Sequence, residues 1–252
     1  MRIPPIHEWE ESDLPHLKRI LDRTETLVCQ PVRDHYRGLL GTAELARLTD
    51  AKLVIYPVLR FDALFPFVAI IRSPKDPSLN PPVIPYHDLR IFARAAGLKG
   101  HKAPLGDAYR KNFRLTLGEL SKREAAHGAV PMSDWLEAER PLWHTINHPN
   151  NATLEELGRR VATAIGGAPD SLGELTAPED REMLGHLEAP VELRAAAALG
   201  VNMQGRHTWT ENGNPVPNFV QEHLAFYQDH PEVIEAGLRR HAEKLEILGL
   251  HR

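Results

Sequence analysis

Cysteine is almost missing from this chain, with Cys29 the one example among 252 residues. A lone thiol excludes an internal disulfide framework and any zinc site built on several cysteines, and it fits a reducing, cytoplasmic compartment. Long apolar runs are lacking as well. The longest, Ala63 to Ile71, is nine residues broken by Pro66, far short of the roughly 20 that cross a bilayer, so no transmembrane segment is expected. No charged-then-apolar leader opens the chain. Nor is there a surplus of basic charge: 30 Lys and Arg face 34 acids for a formal charge of −4. No global field therefore draws nucleic acid or an anionic membrane, and any anion has to be held locally. G-x-S-x-G, G-x-G-x-x-G, the P-loop and H-E-x-x-H are absent too.

What the chain does have is a 42% apolar content, 21 prolines and 14 histidines. The first can bury a core, and the prolines imply loops and interrupted helices. Leu14, Leu17, Ile20 and Leu21 form one stripe of a helix capped by Ser12 and running to about Asp22. Thr26 to Cys29 reads as a strand, Thr42 to Leu48 as a helix and Lys52 to Tyr56 as a second strand, which is the grammar of a parallel α/β unit. Phe65 to Ile71 is strand-like. Helices follow at Asp88 to Ala96, Asp107 to Ala126 and Thr153 to Ile165. Beyond residue 168 short charged helices are expected at 178–187, 191–199 and 216–248, the last broken at His230-Pro231. The expected fold class is α/β: a small, mainly parallel sheet flanked by helices over residues 1–167, with a helical extension over 168–252 packed on it. An exposed sheet edge would invite a second chain, giving a homo-oligomer.

Four clusters could carry chemistry. In Gln30-Pro-Val-Arg-Asp-His-Tyr-Arg37, Arg33 and Arg37 sit four apart in a loop after a strand, where guanidinium forks suit phosphate or carboxylate, with Gly41 and Thr42 offering backbone N–H groups. The plainer reading is a solvated surface where these arginines pair with Asp34. Tyr86-His87-Asp88 places an imidazole at a helix entrance, with Asp88 as the cap and His87 facing a cleft as a base. The competing reading is a capped helix with an incidental histidine. His144-Thr-Ile-Asn-His148 has the spacing of a helical metal pair, but Pro149 argues for a loop before a helix, a place that binds an anion or presents a base. Cys29 reads as a core residue rather than a nucleophile.

These clusters, together with Ile3-Pro-Pro-Ile-His7, Tyr56-Pro-Val-Leu-Arg-Phe61 and Trp143-His-Thr-Ile-Asn-His-Pro-Asn-Asn151, resemble in their order the WcbI-type polysaccharide-biosynthesis family of capsule acetyltransferases over about residues 1 to 165. The sequence departs from that pattern in lacking the Gly-Asn-Cys-Gln-like turn that opens it. The resemblance implies an acyl-coenzyme A dependent O-acyltransferase, with coenzyme A or acetyl-coenzyme A as donor and a sugar or polysaccharide precursor as acceptor. It further implies a cofactor site at Gln30, Arg33, Tyr36, Arg37 and His144, and catalysis by His148, His87 and Asn147, with no metal. Three other readings stay open: an esterase or thioesterase, a non-catalytic coenzyme A or nucleotide-binding module, and a metal-dependent hydrolase on His144 and His148.

Overall fold

Two hydrophobic clusters, each belonging to its own compact unit, organise the computed structural model, which describes residues 8–38, 40–100, 104–167, 180–203 and 205–251. The elements in chain order are a 3-10 turn at Glu11–Asp13, α1 (Leu14–Leu21), β1 (Thr26–Cys29), α2 (Thr42–Arg47), β2 (Lys52–Ile55), β3 (Val68–Ala69), β4 (His87–Asp88) and α3 (Leu89–Ala95). They continue with β5 (Lys99–Gly100), α4 (Gly106–His127), α5 (Ser133–Glu139), α6 (Asn151–Ile165), β6 (Leu187–Glu188) and α7 (Leu193–Ala198). The last are β7 (Thr210–Glu211), β8 (Asn214–Pro215), α8 (Phe219–Asp229), α9 (Pro231–Arg240), α10 (Ala242–Ile247) and β9 (Leu250–His251).

The first unit gathers Met1–Leu59, Leu120–Trp135 and Ala152–Ala177. Leu17, Ile20 and Leu21 of α1 close on Trp9, Leu40 and Leu45, as the apolar stripe requires. β1 and β2 pair in parallel from Thr26↔Lys52 to Cys29↔Ile55. Buried Glu124 accepts the backbone N–H groups of Met132 and Ser133 at 2.8 and 3.0 Å and the Ser133 hydroxyl at 2.6 Å, satisfying donors at the start of α5.

The second unit gathers Arg60–Glu119, Leu136–Asn151 and Pro178–Arg252. Residues 178–252 thus share a unit with 60–119 and 136–151. Its core includes Phe67, Ile71, Leu89, Phe92, Tyr227, Val233 and Leu245. Asp88 caps α3 by accepting the Arg90 N–H at 2.8 Å. In α9, a Cβ on Gly237 would meet the Phe92 ring at 2.5 Å, so only glycine allows that approach.

Small sheets flanked by helices, with a helical C-terminal region, make an α/β protein, but among the described residues the strands divide among four sheets. β1–β2 is parallel; β3–β4, β5–β9 and β6–β7–β8 are antiparallel. The strand expected over Phe65 to Ile71 shrinks to two residues because turns close Phe65 N–H on Asp62 O and Val68 N–H on Phe65 O. Part of the helix expected at 178–187 lies outside the described residues. The rest is turn leading into β6, and β7–β8 is a hairpin that no helix pattern announced.

In the second unit His87 and His223 are buried and His241 is part-buried. His87 is 1% exposed, with Nε2–H donating to Ile71 O at 3.2 Å and Nδ1 accepting from the Tyr227 hydroxyl at 2.6 Å. Burial, reinforced by His223, pushes His87 from its ordinary 6.5 down to about 3. Burial likewise takes His223 to about 4, and burial with the charges of Lys244 and Arg240 takes His241 to about 4. All three folded values lie below the unfolded one, so as pH falls through about 6.5 the unfolded chain takes up protons first. The expected outcome is a melting temperature that is level above about pH 7 and falls steadily toward pH 4, less steeply in His223→Phe. Melting curves recorded across that range check it, and a flat profile is the contrary result.

Candidate active site

The segment after α5 folds as a tight turn. Thr145 and His148 form an isolated bridge, and the His144 N–H donates to His148 O at 2.9 Å. Pro149 follows, and α6 begins at Asn151. The two histidines are therefore on a loop and not one helical turn apart, as a proline after His148 demands. Tyr86 meets this turn. Its buried hydroxyl donates to Asn147 Oδ1 at 2.7 Å, leaving the Thr145 hydroxyl, 3.0 Å away, to donate to the tyrosine oxygen. The Asn147 Oδ1 is thereby held by Tyr86, and its amide keeps two N–H donors on Nδ2.

His144 is buried between two carboxylates, Nε2 3.1 Å from Glu182 Oε2 and Nδ1 3.3 Å from Glu188 Oε1. Glu182 also accepts the Asn151 N–H at 2.9 Å, so the protein's own carboxylate occupies the start of α6. Arg206 donates to Glu188 at 2.8 Å and to the Trp143 carbonyl at 2.5 Å. Burial works to raise the Glu188 carboxyl, but the Arg206 charge and the hydrogen bonds from Arg206, His144 and Thr210 outweigh it and hold the group low. With both ring nitrogens engaged, His144, expected as a cofactor ligand, fastens the turn in this structure.

His148 is different. Half of the ring is buried, Nδ1 lies inside without a hydrogen-bond partner among the described residues, and the open side is therefore the Nε2 side. Burial, then the nearby His186 and His144, hold its pKa below the usual value. The Tyr86 ring meets it edge-on at 6.3 Å, and the His186 ring lies 5.1 Å away. On its other side Tyr86 stacks on Trp209, centroids 5.4 Å apart and planes 14° apart. Trp209 also lines a cavity of about 360 Å³ with Phe65, Phe67, Phe219, Arg90 and Glu192.

His87, expected at a cleft as a base, lies in the core, with partners on both ring nitrogens. In the first unit, Gln30, Arg33, Tyr36 and Arg37 share the loop after β1, where His35, Arg37 and Gly38 have positive φ. Arg37 donates to Trp9 O at 2.7 Å, and the exposed Arg33 guanidinium sits 5.8 Å from the Tyr36 ring centroid. Of the backbone donors expected at Gly41 and Thr42, that of Thr42 is taken. Thr42 N–H bonds Val32 O, and the Glu44 carboxylate stands where a Cβ of residue 41 would be. Burial raises the Cys29 thiol, which keeps it protonated. Among the described residues no group of three or more His, Cys, Asp or Glu could hold a metal ion.

Sequence reasoning missed Glu182, Glu188, His186, Arg206 and Trp209. All lie in a stretch whose short charged segments read as helices, and only the tertiary fold brings them to the turn.

A mixed α/β fold with a histidine-bearing loop ahead of a helix is the class these observations define. A family model described as polysaccharide biosynthesis enzyme WcbI matches residues 1–170, and the chain belongs to that family. No curated protein matches the sequence. A solved structure of WcbI is similar over 98% of this chain and 87% of its own, with a TM-score of 0.73 at 15% identity. It is described as a novel polysaccharide biosynthesis enzyme, in its native form without a disulfide bond between coenzyme A and a cysteine of that protein. At that identity it establishes the fold.

Two substitutions separate the polar and packing contributions at this site. Tyr86→Phe loses a buried hydrogen bond and is expected to cost about 1 kcal/mol, whereas Trp209→Ala removes a buried ring and is expected to cost about 3–5 kcal/mol. Urea denaturation of both variants checks the ordering, and equal losses would show that Trp209 does not pack as described.

Proposed function

We propose that the protein is an acyl-coenzyme A dependent O-acyltransferase, acetyl-coenzyme A being the donor, that modifies a hydroxyl of a sugar or polysaccharide precursor. The observation that carries this reading is His148: a half-buried imidazole whose pKa its surroundings lower, with an open nitrogen, on the turn that also carries Asn147. A neutral imidazole can take the proton of an attacking hydroxyl, and Asn147 Nδ2 supplies a donor for negative charge developing on a carbonyl oxygen. Acyl-coenzyme A supplies an acyl group activated as a thioester. The family and the coenzyme A of the similar solved structure support that donor. In this chain Arg33 fits a phosphate of such a donor, because its guanidinium is exposed while Arg37 is tied to Trp9. The aromatic walls beside Trp209 suit the apolar face of a sugar ring, and Glu192 and Arg90 offer partners for its hydroxyls.

The test is release of thiol from acetyl-coenzyme A with a panel of sugar acceptors. His148→Ala is expected to lower the rate about 10²- to 10⁴-fold while leaving coenzyme A binding intact. A wild-type rate in His148→Ala overturns the assignment. Calorimetry with Arg33→Ala is expected to show about tenfold weaker coenzyme A binding; unchanged affinity removes Arg33 from the cofactor site. The open face of His148 also admits water, which favours a thioesterase as the second reading. Thiol release that ignores the acceptor would identify it.

A further inference from the structure

His148 lies on the turn after α5, and His186 directly precedes β6. Their ring centroids are 5.1 Å apart and their planes are inclined at 45°. Both backbones are fastened. The carbonyl of His148 accepts the His144 N–H at 2.9 Å, and that of His186 accepts the Asn212 N–H at 2.6 Å. The rings, by contrast, carry no hydrogen bond or ion pair among the described residues. His148 Nδ1 is buried without a partner, so its Nε2 is the nitrogen on the open side, and the ring of His186 is exposed. His144 differs from both, since Glu182 and Glu188 engage its two nitrogens. The backbone thus presents two imidazoles side by side with ring nitrogens to spare.

Rings inclined at 45° are not stacked, and no hydrogen bond joins them. A shared metal ion accounts for the spacing. Two imidazoles on one tetrahedral ion, with metal–nitrogen bonds of about 2.0–2.1 Å, have centroids about 5 Å apart. Neutral imidazole suits zinc, copper and nickel, whereas magnesium and calcium take oxygen ligands. A structural zinc site has four protein ligands and a catalytic one three. With two histidines, and water completing the shell, this pair suits an ion that exchanges with solvent. Such an ion would engage the Nε2 lone pair of His148, which is the lone pair a base needs.

We propose that His148 and His186 form a two-histidine site for a zinc-class divalent ion, and that the bound ion blocks His148 as a base. The blocking rests on the acyl-transfer reading, and the binding does not. The experiment titrates the full chain with zinc chloride and, separately, magnesium chloride by calorimetry, with the histidine ring resonances followed by NMR. Expected are saturable zinc binding that moves the His148 and His186 signals together, and at least about tenfold weaker binding in His186→Ala and in His148→Ala. Magnesium is expected to leave both signals still. His35→Ala, at an exposed position in the first unit, is expected to move them with zinc as the wild type does. Initial rates of thiol release from acetyl-coenzyme A are then measured over the same zinc range. Zinc is expected to inhibit the wild type, and His186→Ala is expected to keep the wild-type rate while becoming about tenfold less sensitive. Zinc that leaves the two signals still, zinc that binds His186→Ala as tightly as wild type, or magnesium that moves the signals as zinc does overturns the site. Binding without inhibition overturns the blocking. A wild type that binds zinc but releases no thiol overturns the acyl-transfer reading, and the blocking with it, while the site stands.

Discussion

Much of the second unit's polar architecture depends on one side chain, His144, clamped between Glu182 and Glu188. Its ring fixes the loop before β6 through Glu182 and the strand itself through Glu188. Its backbone carries the rest, with N–H holding the carbonyl of His148 and carbonyl receiving the Ala189 N–H at 2.7 Å. Glu182 in turn ends at the first N–H of α6, and Glu188 ends at Arg206 and Thr210. Taking charge even partly out of water is costly, and packed apolar side chains would often stabilise a fold as well or better. What an apolar cluster lacks is direction. Each bond in this chain has a required partner and angle, and together they leave the 144–148 turn one arrangement.

Gly185 shows how tightly that clamp closes. A Cβ there would lie 3.3 Å from the His144 ring and 2.9 Å from the Glu182 side chain, so the loop can bring its carboxylate to the imidazole only with a glycine at that point. The same logic of close approach recurs at Gly41, where the Glu44 carboxylate takes the place of a side chain and closes a helix start to outside anions.

The local signals in the sequence were legible where a short segment decides its own structure. Thr26 to Cys29, Thr42 onward and Lys52 onward became β1, α2 and β2 in the parallel pairing that their order implied, and Asp88 caps α3 as its position before an apolar stripe suggested. Pro149 correctly placed His148 on a loop. Illegible were contacts made between segments far apart in the chain. Tyr86 reaches Asn147 across 61 positions, and Lys244 reaches Asp62 across 182. Neither carries a local pattern. The surroundings of His87 were illegible for a related reason: adjacent residues in a strand point to opposite faces, and whether the inward one meets a cleft or a core is settled by α8, which brings Tyr227.

The histidines of this protein show why residue type alone does not name a base. His87, His241 and His148 are all kept neutral by burial. His87 is a buried imidazole with a donor on one nitrogen and an acceptor on the other, so its neutrality serves packing and no proton can be passed to it. His241 gives Nε2 to a carbonyl, and burial with the charges of Lys244 and Arg240 accounts for its neutrality. In His148 the two requirements of a base come apart from those of the core. The inner nitrogen is desolvated, which lowers the affinity for a proton, while the outer edge stays open, which allows one to arrive. Tyr86 ties the two together, since the ring that meets His148 edge-on also holds the Asn147 Oδ1 through its hydroxyl.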